Sequence, residues 1–179
     1  MKTFFTADTH FNHSNIIKYC NRPFANKDEM NVEMIKRWNS KVGPYDHVWH
    51  VGDFSFSRDG DDGILDQLHG VKHLILGNHD NERTISTRNW NSVSHYHELK
   101  INGQMIVLFH YAMRVWDKSH FGSWQLYGHS HGSLPDDPKA LSIDVGVDCH
   151  NFYPLEFEEI KPIMAKKDFT PIDRNDRKK

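Results

Sequence analysis

Strand-like and helix-like segments alternate along this 179-residue chain, which predicts an α/β domain with some strands antiparallel. Two further observations support that class. The pair Asn102-Gly103 between two strand-like runs marks a tight hairpin. Short clusters of Asp, Asn and His recur just past the strand-like segments, where α/β sheets carry their sites. The length fits one domain, expected over residues 1–162, followed by a charged tail over 163–179.

Each element has its own signal. Residues 2–7, with Thr and Phe enriched, read as a strand. Ser14 is placed to cap a short helix carrying Ile16, Ile17 and Tyr19. A second helix is expected over 28–38, where Met30, Met34, Ile35 and Trp38 share one face, and Gly43-Pro44 breaks it. Residues 47–51 read as a strand. Asp61 or Asp62 can cap a helix carrying Ile64, Leu65 and Leu68, which Gly70 stops. Residues 73–76 read as a buried strand. Residues 95–101 and 104–109 flank Asn102-Gly103 as a hairpin with a type I′ turn. Further strands are expected over 124–127 and 141–147, and one helical turn over 156–160. Internal repeats and low-complexity linkers are absent from the sequence.

Composition narrows the functional classes. With 37% hydrophobic and 26% charged residues, 5 Trp and 11 Phe, the chain can bury a core, which excludes wholesale disorder. No apolar run approaches the roughly 18 residues of a membrane span. Asp8 and His10 come too early for a secretory leader. A cytoplasmic location is therefore expected, that of the host cell if the gene is carried by a phage. Only 2 cysteines, Cys20 and Cys149, exclude a disulfide scaffold or a Cys-rich zinc module and read as small apolar fillers. Net charge is 22 − 24 = −2, so no global basic field favours nucleic acid. Residues 165–179 carry six Lys/Arg and three Asp/Glu, or +3, leaving −5 for the rest.

Histidine stands apart, at 14 residues of 179. Its positions matter more than its number. The first strand ends in Asp8-Thr9-His10, the second in Gly52-Asp53, and the third in Gly77-Asn78-His79-Asp80. The hairpin's second strand ends in His110, and the segment after Tyr127 is Gly128-His129-Ser130-His131. Taken singly, most of these read as a turn or a core histidine. Gly128-His129-Ser130-His131 is the strongest single motif, since two imidazoles two residues apart are costly to pack without purpose. Five strand ends delivering the same chemistry together are hard to attribute to chance. Carboxylate, amide oxygen and imidazole without thiolate suit Mn, Fe, Ni, Co or Zn. Seven such donors exceed one tetrahedral ion. They fit two ions about 3.5–4 Å apart sharing a carboxylate.

In this order, Asp8-x-His10, Gly52-Asp53, Gly77-Asn78-His79-Asp80, His110 and Gly128-His129-x-His131 resemble the five signatures of the calcineurin-like metallophosphoesterases. The resemblance runs over residues 1–159. It is strongest to small uncapped bacterial and phage members, through Asn21-Arg22-Pro23-Phe24 and Asp144-Val145-Gly146-Val147-Asp148. It implies a four-layer α/β/β/α sandwich with a dimetal centre at one end. Asp8, His10 and His131 would hold one ion, and Asn78, His110 and His129 the other. Asp53 would bridge both, together with a hydroxide that attacks phosphorus directly. His79 would protonate the leaving oxygen, and Asp80 would orient His79. Mn heads the expected metals, with Fe, Ni, Zn and Co suited to the same donors. Members that serve only as scaffolds usually lose the motif histidine or some ligands. Here every one is present, so a hydrolase is expected ahead of a scaffold.

Beyond the signatures, His13 and His150 are candidates to touch a substrate phosphate, and Arg22 to clamp a phosphate oxygen through its guanidinium. Arg83 reads as surface charge. His47, His50, His69, His73, His95, His97 and His120 carry no motif and read as structural or exposed, and Trp38, Trp49 and Phe109 as core. The expected partner is a phosphoester substrate, nucleotides and nucleic acid included, with no membrane. A diester is favoured over a monoester, and residues 11–24, 54–63 and 115–123 are expected to rim the site.

Overall fold

The computed structural model describes residues 1–57, 63–86 and 89–172. Two sheets stack face to face. In the first, β1 (Thr3–Thr6), β2 (His47–Val51), β3 (Val71–Ile75) and β4 (Trp90–Ser94) run parallel, and β9 (Leu155–Glu156) pairs antiparallel with β1. The second contains β5 (Tyr96–Ile101), β6 (Gln104–Phe109), β7 (Trp124–Tyr127) and β8 (Ser142–Asp144); only the β5–β6 hairpin is antiparallel. Asn102 and Gly103 both have positive φ, 49° and 90°, as a type I′ turn requires.

Side-chain alternation builds the layers. Phe4, Val48 and Leu74 face outward, onto α1 (Ser14–Tyr19), α2 (Lys27–Lys41) and α3 (Ile64–Gln67), where Ile16, Met30, Met34, Trp38, Ile64 and Leu65 bury against them. Phe5, Trp49, Val51 and Ile75 point the other way and meet Ile106, Leu108, Trp124, Leu126 and Ile143 of the second sheet. The outer face of the second sheet is covered differently. Gln125 donates to Tyr111 O and accepts from Met113 N, so the segment after β6 crosses it, with a 3₁₀ turn at Ser119–Phe121. α5 (Phe157–Ala165) closes the sandwich edge beside β9, burying Phe157, Ile160 and Met164 in the inter-sheet core.

Several expectations shift in detail. α2 is longer than its apolar stripe, because Asn26 caps it by accepting from Asp28 N and Glu29 N. Ser14 is the first helical residue, with His13 at the cap position. α5 continues past Pro162 to Ala165, drawn on by burial of Met164. Residues 166–172 dock on the loop between β7 and β8 through Lys167–Asp136 and Thr170 N to Lys139 O, 2.9 Å. α4 (Glu82–Ser86), β4 and β9 carried no periodic signal; the strands are short edges, and β4 is polar. The Asp61/Asp62 cap and the Arg83 side chain lie outside the described residues. No described helix is long and apolar enough to cross a membrane.

At one pole the sheets are tied together. Ala7 bridges Gly146 beyond the end of β8, and Asp8 N donates to Gly52 O at 2.9 Å. The C-terminal ends of β1, β2, β3, β6 and β7 converge there.

Candidate metal centre

At this pole the backbone is strained where the candidate ligands sit. Asp8, His10, Asp53, His129 and His131 all have positive φ, between 48° and 69°. Non-glycine residues seldom adopt this conformation, and it clusters where function needs it. Hydrogen bonds from His10 N to Asp53 O (3.0 Å) and from His129 N to the Asp8 carboxylate (2.9 and 3.0 Å) hold these turns. The turns aim five side chains inward from the strand ends.

The glycines before the ligands are required by space. A Cβ at Gly52 would lie 2.2 Å from His110 Nδ1, one at Gly77 2.2 Å from Asp53 Oδ1, and one at Gly128 2.5 Å from Asp8 Oδ2. Each Gly of the motifs is thus the gap into which a neighbouring ligand packs.

The structure brings all seven candidate ligands together. Donor atoms of Asp8, His10 and His131 lie within 4.8 Å of one another, and so do those of Asp53, His110 and His129. Asp53 Oδ2 stands between the groups, 3.5 Å from His10 Nε2 and 3.5 Å from His110 Nε2. Asn78 Oδ1 joins the second group, 3.1 Å from His110 Nε2 and 3.0 Å from His129 Nδ1. These His/Asp groups can hold metal. His10 supplies the test of fit: both ring nitrogens are buried and neither has a hydrogen-bond partner. A buried unsatisfied imidazole is costly unless a cation takes its lone pair.

A second layer aims the ligands. His110 Nδ1–H donates to Val51 O at 2.8 Å, which presents Nε2 to Asp53 and Asn78. His131 Nδ1 meets Asp148 Oδ2 at 2.7 Å, leaving its Nε2 toward Asp8 and His10. Asp148 is in turn gripped by Arg22, Nε to Oδ1 and Nη2 to Oδ2, both 2.8 Å. Asp148 is the functional residue that sequence reasoning left without a role. Its signal was a further carboxylate just past a strand, after β8.

Three expected roles take a different form. Arg22, expected on a substrate phosphate, is buried behind the centre, where Nη1 donates to Thr9 O (2.8 Å) and Nη2 to Asp8 O (2.7 Å). Its fork holds the strained Asp8–His10 turn. Asp80, expected to orient His79, accepts instead from Asp53 N and Gly77 N (both 2.8 Å) and Phe54 N (3.0 Å). A carboxylate saturated by three backbone donors sets the 52–54 and 77–80 turns relative to each other. His150 Nε2–H donates to Asp144 O at 2.7 Å, which ties its ring to the scaffold.

His79 and His13 do face the pole. His79 is exposed, its amide donates to Asp53 Oδ1 (2.9 Å), and its ring lies 5.3 Å from that of His10. His13 lies 5.4 Å from His10 and stacks on Phe56 at 4.3 Å. Most other histidines are structural: His50 is buried against Thr9 Oγ1 (2.9 Å), and His73 packs between His47 and Trp49. Cys20 also approaches His131 and Asp148, but burial pushes its thiol up to about 11, so it stays protonated.

Without a cation the electrostatics conflict. Burial pushes Asp8 up to about 7, although His131 and His110 oppose it. Burial pulls His10 down to about 3. Burial also acts to raise Asp53, but the bonds and charge of His110 hold it at about 2. A neutral imidazole and a half-protonated buried carboxylate side by side are what a divalent cation converts into ligands.

No family model matches the chain. An uncharacterized protein of Methanocaldococcus jannaschii is 35% identical over 173 residues, covering 92% of each chain. The gene 66 protein of Mycobacterium phage D29 is 28% identical over 188 residues, covering 85% of this chain and 91% of its own. Among solved structures, a protein of unknown function from Aquifex aeolicus superposes with a TM-score of 0.71 at 20% identity, over 90% of this chain and 98% of its own. A zinc complex of Vps29 from Entamoeba histolytica reaches a TM-score of 0.42 at 18% identity, over 73% of this chain and 65% of its own.

Proposed function

This chain belongs to one family with the Methanocaldococcus jannaschii protein, and we propose that it is a two-metal phosphoesterase of the calcineurin-like type. The observation that carries the reading is Asp53 standing between two His/Asp groups, beside an exposed His79. Asp8, His10 and His131 would hold one divalent ion, and Asn78, His110 and His129 the other, with Asp53 shared. Mn is the ion we propose first; Fe, Ni, Zn and Co suit the mixed oxygen and imidazole set too. Such a pair, when bound, neutralises phosphoryl oxygens and supplies a hydroxide at neutral pH.

The chain's own residues do the rest. Asp8 and Asp53 enter as carboxylates, and His110 and His131 present Nε2 because Val51 O and Asp148 hold Nδ1–H. His79 carries a proton to the departing oxygen, its backbone anchored on Asp53. Asn78, His79 and His129 reach the surface, so an ester substituent fits on either side of phosphorus. That openness admits diesters as well as monoesters, and we propose diesters as the first class to test.

The test is hydrolysis of bis-p-nitrophenyl phosphate against p-nitrophenyl phosphate by metal-stripped protein with Mn restored. Metal-dependent turnover with the diester preferred is expected. Two bound ions and no turnover with Mn, Ni, Fe or Zn would overturn the reading in favour of a scaffold.

A further inference from the structure

Beside His79 the surface changes from polar to aromatic. His13 and Phe56 stack with centroids 4.3 Å apart and planes 20° apart. Phe56 meets the His79 ring edge-on at 5.9 Å, and His13 lies 6.5 Å from it. Tyr19 extends the row, edge-on to His13 at 6.3 Å. Tyr19 is 74% exposed and Phe56 43%, a costly display of aromatic surface beside a reaction centre.

The row is built rigidly. Phe56 N donates to Phe11 O at 2.8 Å, and Phe11 bridges Ser55, so the 10–13 and 54–56 segments are zipped together. Asn12 N donates to Asn31 Oδ1 (3.1 Å) while Asn31 Nδ2 donates to Asn12 Oδ1 (2.7 Å), pinning His13 to α2.

We propose that Tyr19, His13 and Phe56 form a stacking ledge for a planar ring on the leaving-group side of the phosphoester, making nucleotides the substrate class. The inference rests on the phosphoesterase reading and deepens it. A group departing toward His79 passes beside Phe56 and His13, because Phe56 meets the His79 ring edge-on at 5.9 Å and His13 lies tilted to it at 6.5 Å. On the opposite flank stands Tyr111, 4.6 Å from His129, with its hydroxyl 3.4 Å from Asn78 Oδ1 and the Phe109 ring 5.7 Å behind it. Among the described residues the longer exposed aromatic row, Tyr19–His13–Phe56, lies on the His79 side, where the leaving group goes. Among the described residues the ledge presents chiefly ring surface, the Tyr19 hydroxyl and the His13 ring nitrogens apart, so it favours a nucleobase without fixing which one.

The test is calorimetric titration of the Mn-loaded full chain with adenosine 5′-monophosphate and with ribose 5-phosphate, which has the same phosphate and sugar but no base. The base should tighten binding about tenfold. Tyr19→Ala and Phe56→Leu should each reduce that ratio, and together bring it near one, with ribose 5-phosphate affinity held. Phe56→Leu keeps the apolar volume, so loss of the ratio there separates ring stacking from misfolding. Equal binding of the two ligands by the native chain, or a ratio unchanged in both variants, overturns the ledge and leaves the phosphoesterase intact. Binding of neither ligand overturns the phosphoesterase reading, and the ledge with it.

Discussion

Replacing Gly77 with alanine tests whether the turn glycines exist to let ligands pack. The new Cβ would stand 2.2 Å from Asp53 Oδ1, 2.6 Å from Asp53 N and 2.9 Å from Asp53 Cγ. An ordinary contact begins near 3.4 Å, so about 1.2 Å must be recovered (3.4 − 2.2). Asp53 cannot yield as a unit, because its amide and that of Gly77 share Asp80 Oδ2 at 2.8 Å each. Either the carboxylate swings away from His10 and His110, or the 77–80 turn lifts and takes Asn78 and His79 with it. A shift of about 1 Å at reacting groups costs on the order of 100-fold in rate. Overpacking of this kind costs about 1–3 kcal/mol in stability. The assays are Mn affinity by calorimetry, diester turnover, and urea unfolding. Gly77→Ala should lose both affinity and turnover while remaining folded. Gly103→Ala is the control: its φ of 90° strains the hairpin, but its Cβ meets nothing within 4 Å, so Mn affinity and turnover should hold. Wild-type Mn affinity and turnover in Gly77→Ala would refute the reasoning.

Three other outcomes follow from the same geometry. His79→Ala should bind metal normally, hydrolyse p-nitrophenyl esters appreciably, and lose most turnover on alkyl esters, whose leaving oxygens need the proton; equal losses on both would contradict the acid role. Asp148→Asn should weaken Mn binding about 10–100-fold by freeing His131, as removal of such orienting carboxylates does, and calorimetry reads it directly. In metal-stripped protein, Asp8 is raised by burial to about 7 in the fold and returns to about 4 when unfolded. The unfolded chain therefore releases that proton first, so this residue's contribution to stability falls as pH rises from about 4 to 7 and is level above. Melting curves of native protein and Asp8→Asn across pH 4.5–8 should diverge in that window, and parallel curves would count against it. Mn added at pH 7 should displace about half a proton from Asp8 and stabilise the native chain over Asp8→Asn, which lacks that ligand.

Much of the site was legible because its chemistry is local. A turn that delivers Asp-x-His or Gly-Asn-His-Asp after a strand is written in consecutive residues, and spacing relative to the strand sets which pole it occupies. The strands β2 and β6 and the Asn102-Gly103 turn follow the same logic, since period and turn type are short-range properties. The edge strands β4 and β9 were hidden, because a polar or two-residue segment becomes a strand only when a neighbour offers it a ladder.

What only the tertiary structure decided are the partners of long side chains. Arg22 has the composition of a phosphate clamp, and nothing in Asn-Arg-Pro-Phe tells whether its fork points outward or back. The fold brings Asp148, 126 residues away, and the Asp8 and Thr9 carbonyls to meet it, and a buried guanidinium goes where all its donors are satisfied. Asp80 was likewise diverted from its neighbour His79 to three backbone amides that converge only after β2 and β3 pair. The Tyr19–His13–Phe56 row also exists only in three dimensions, since its rings come from two segments that a β-bridge joins. Sequence by itself determined which donors this protein owns and at which strand ends they appear. Packing determined which of them turn into the candidate metal centre, which stand exposed beside it, and which hold the others still, because long-range hydrogen bonds are settled by competition among groups that the chain order does not place together.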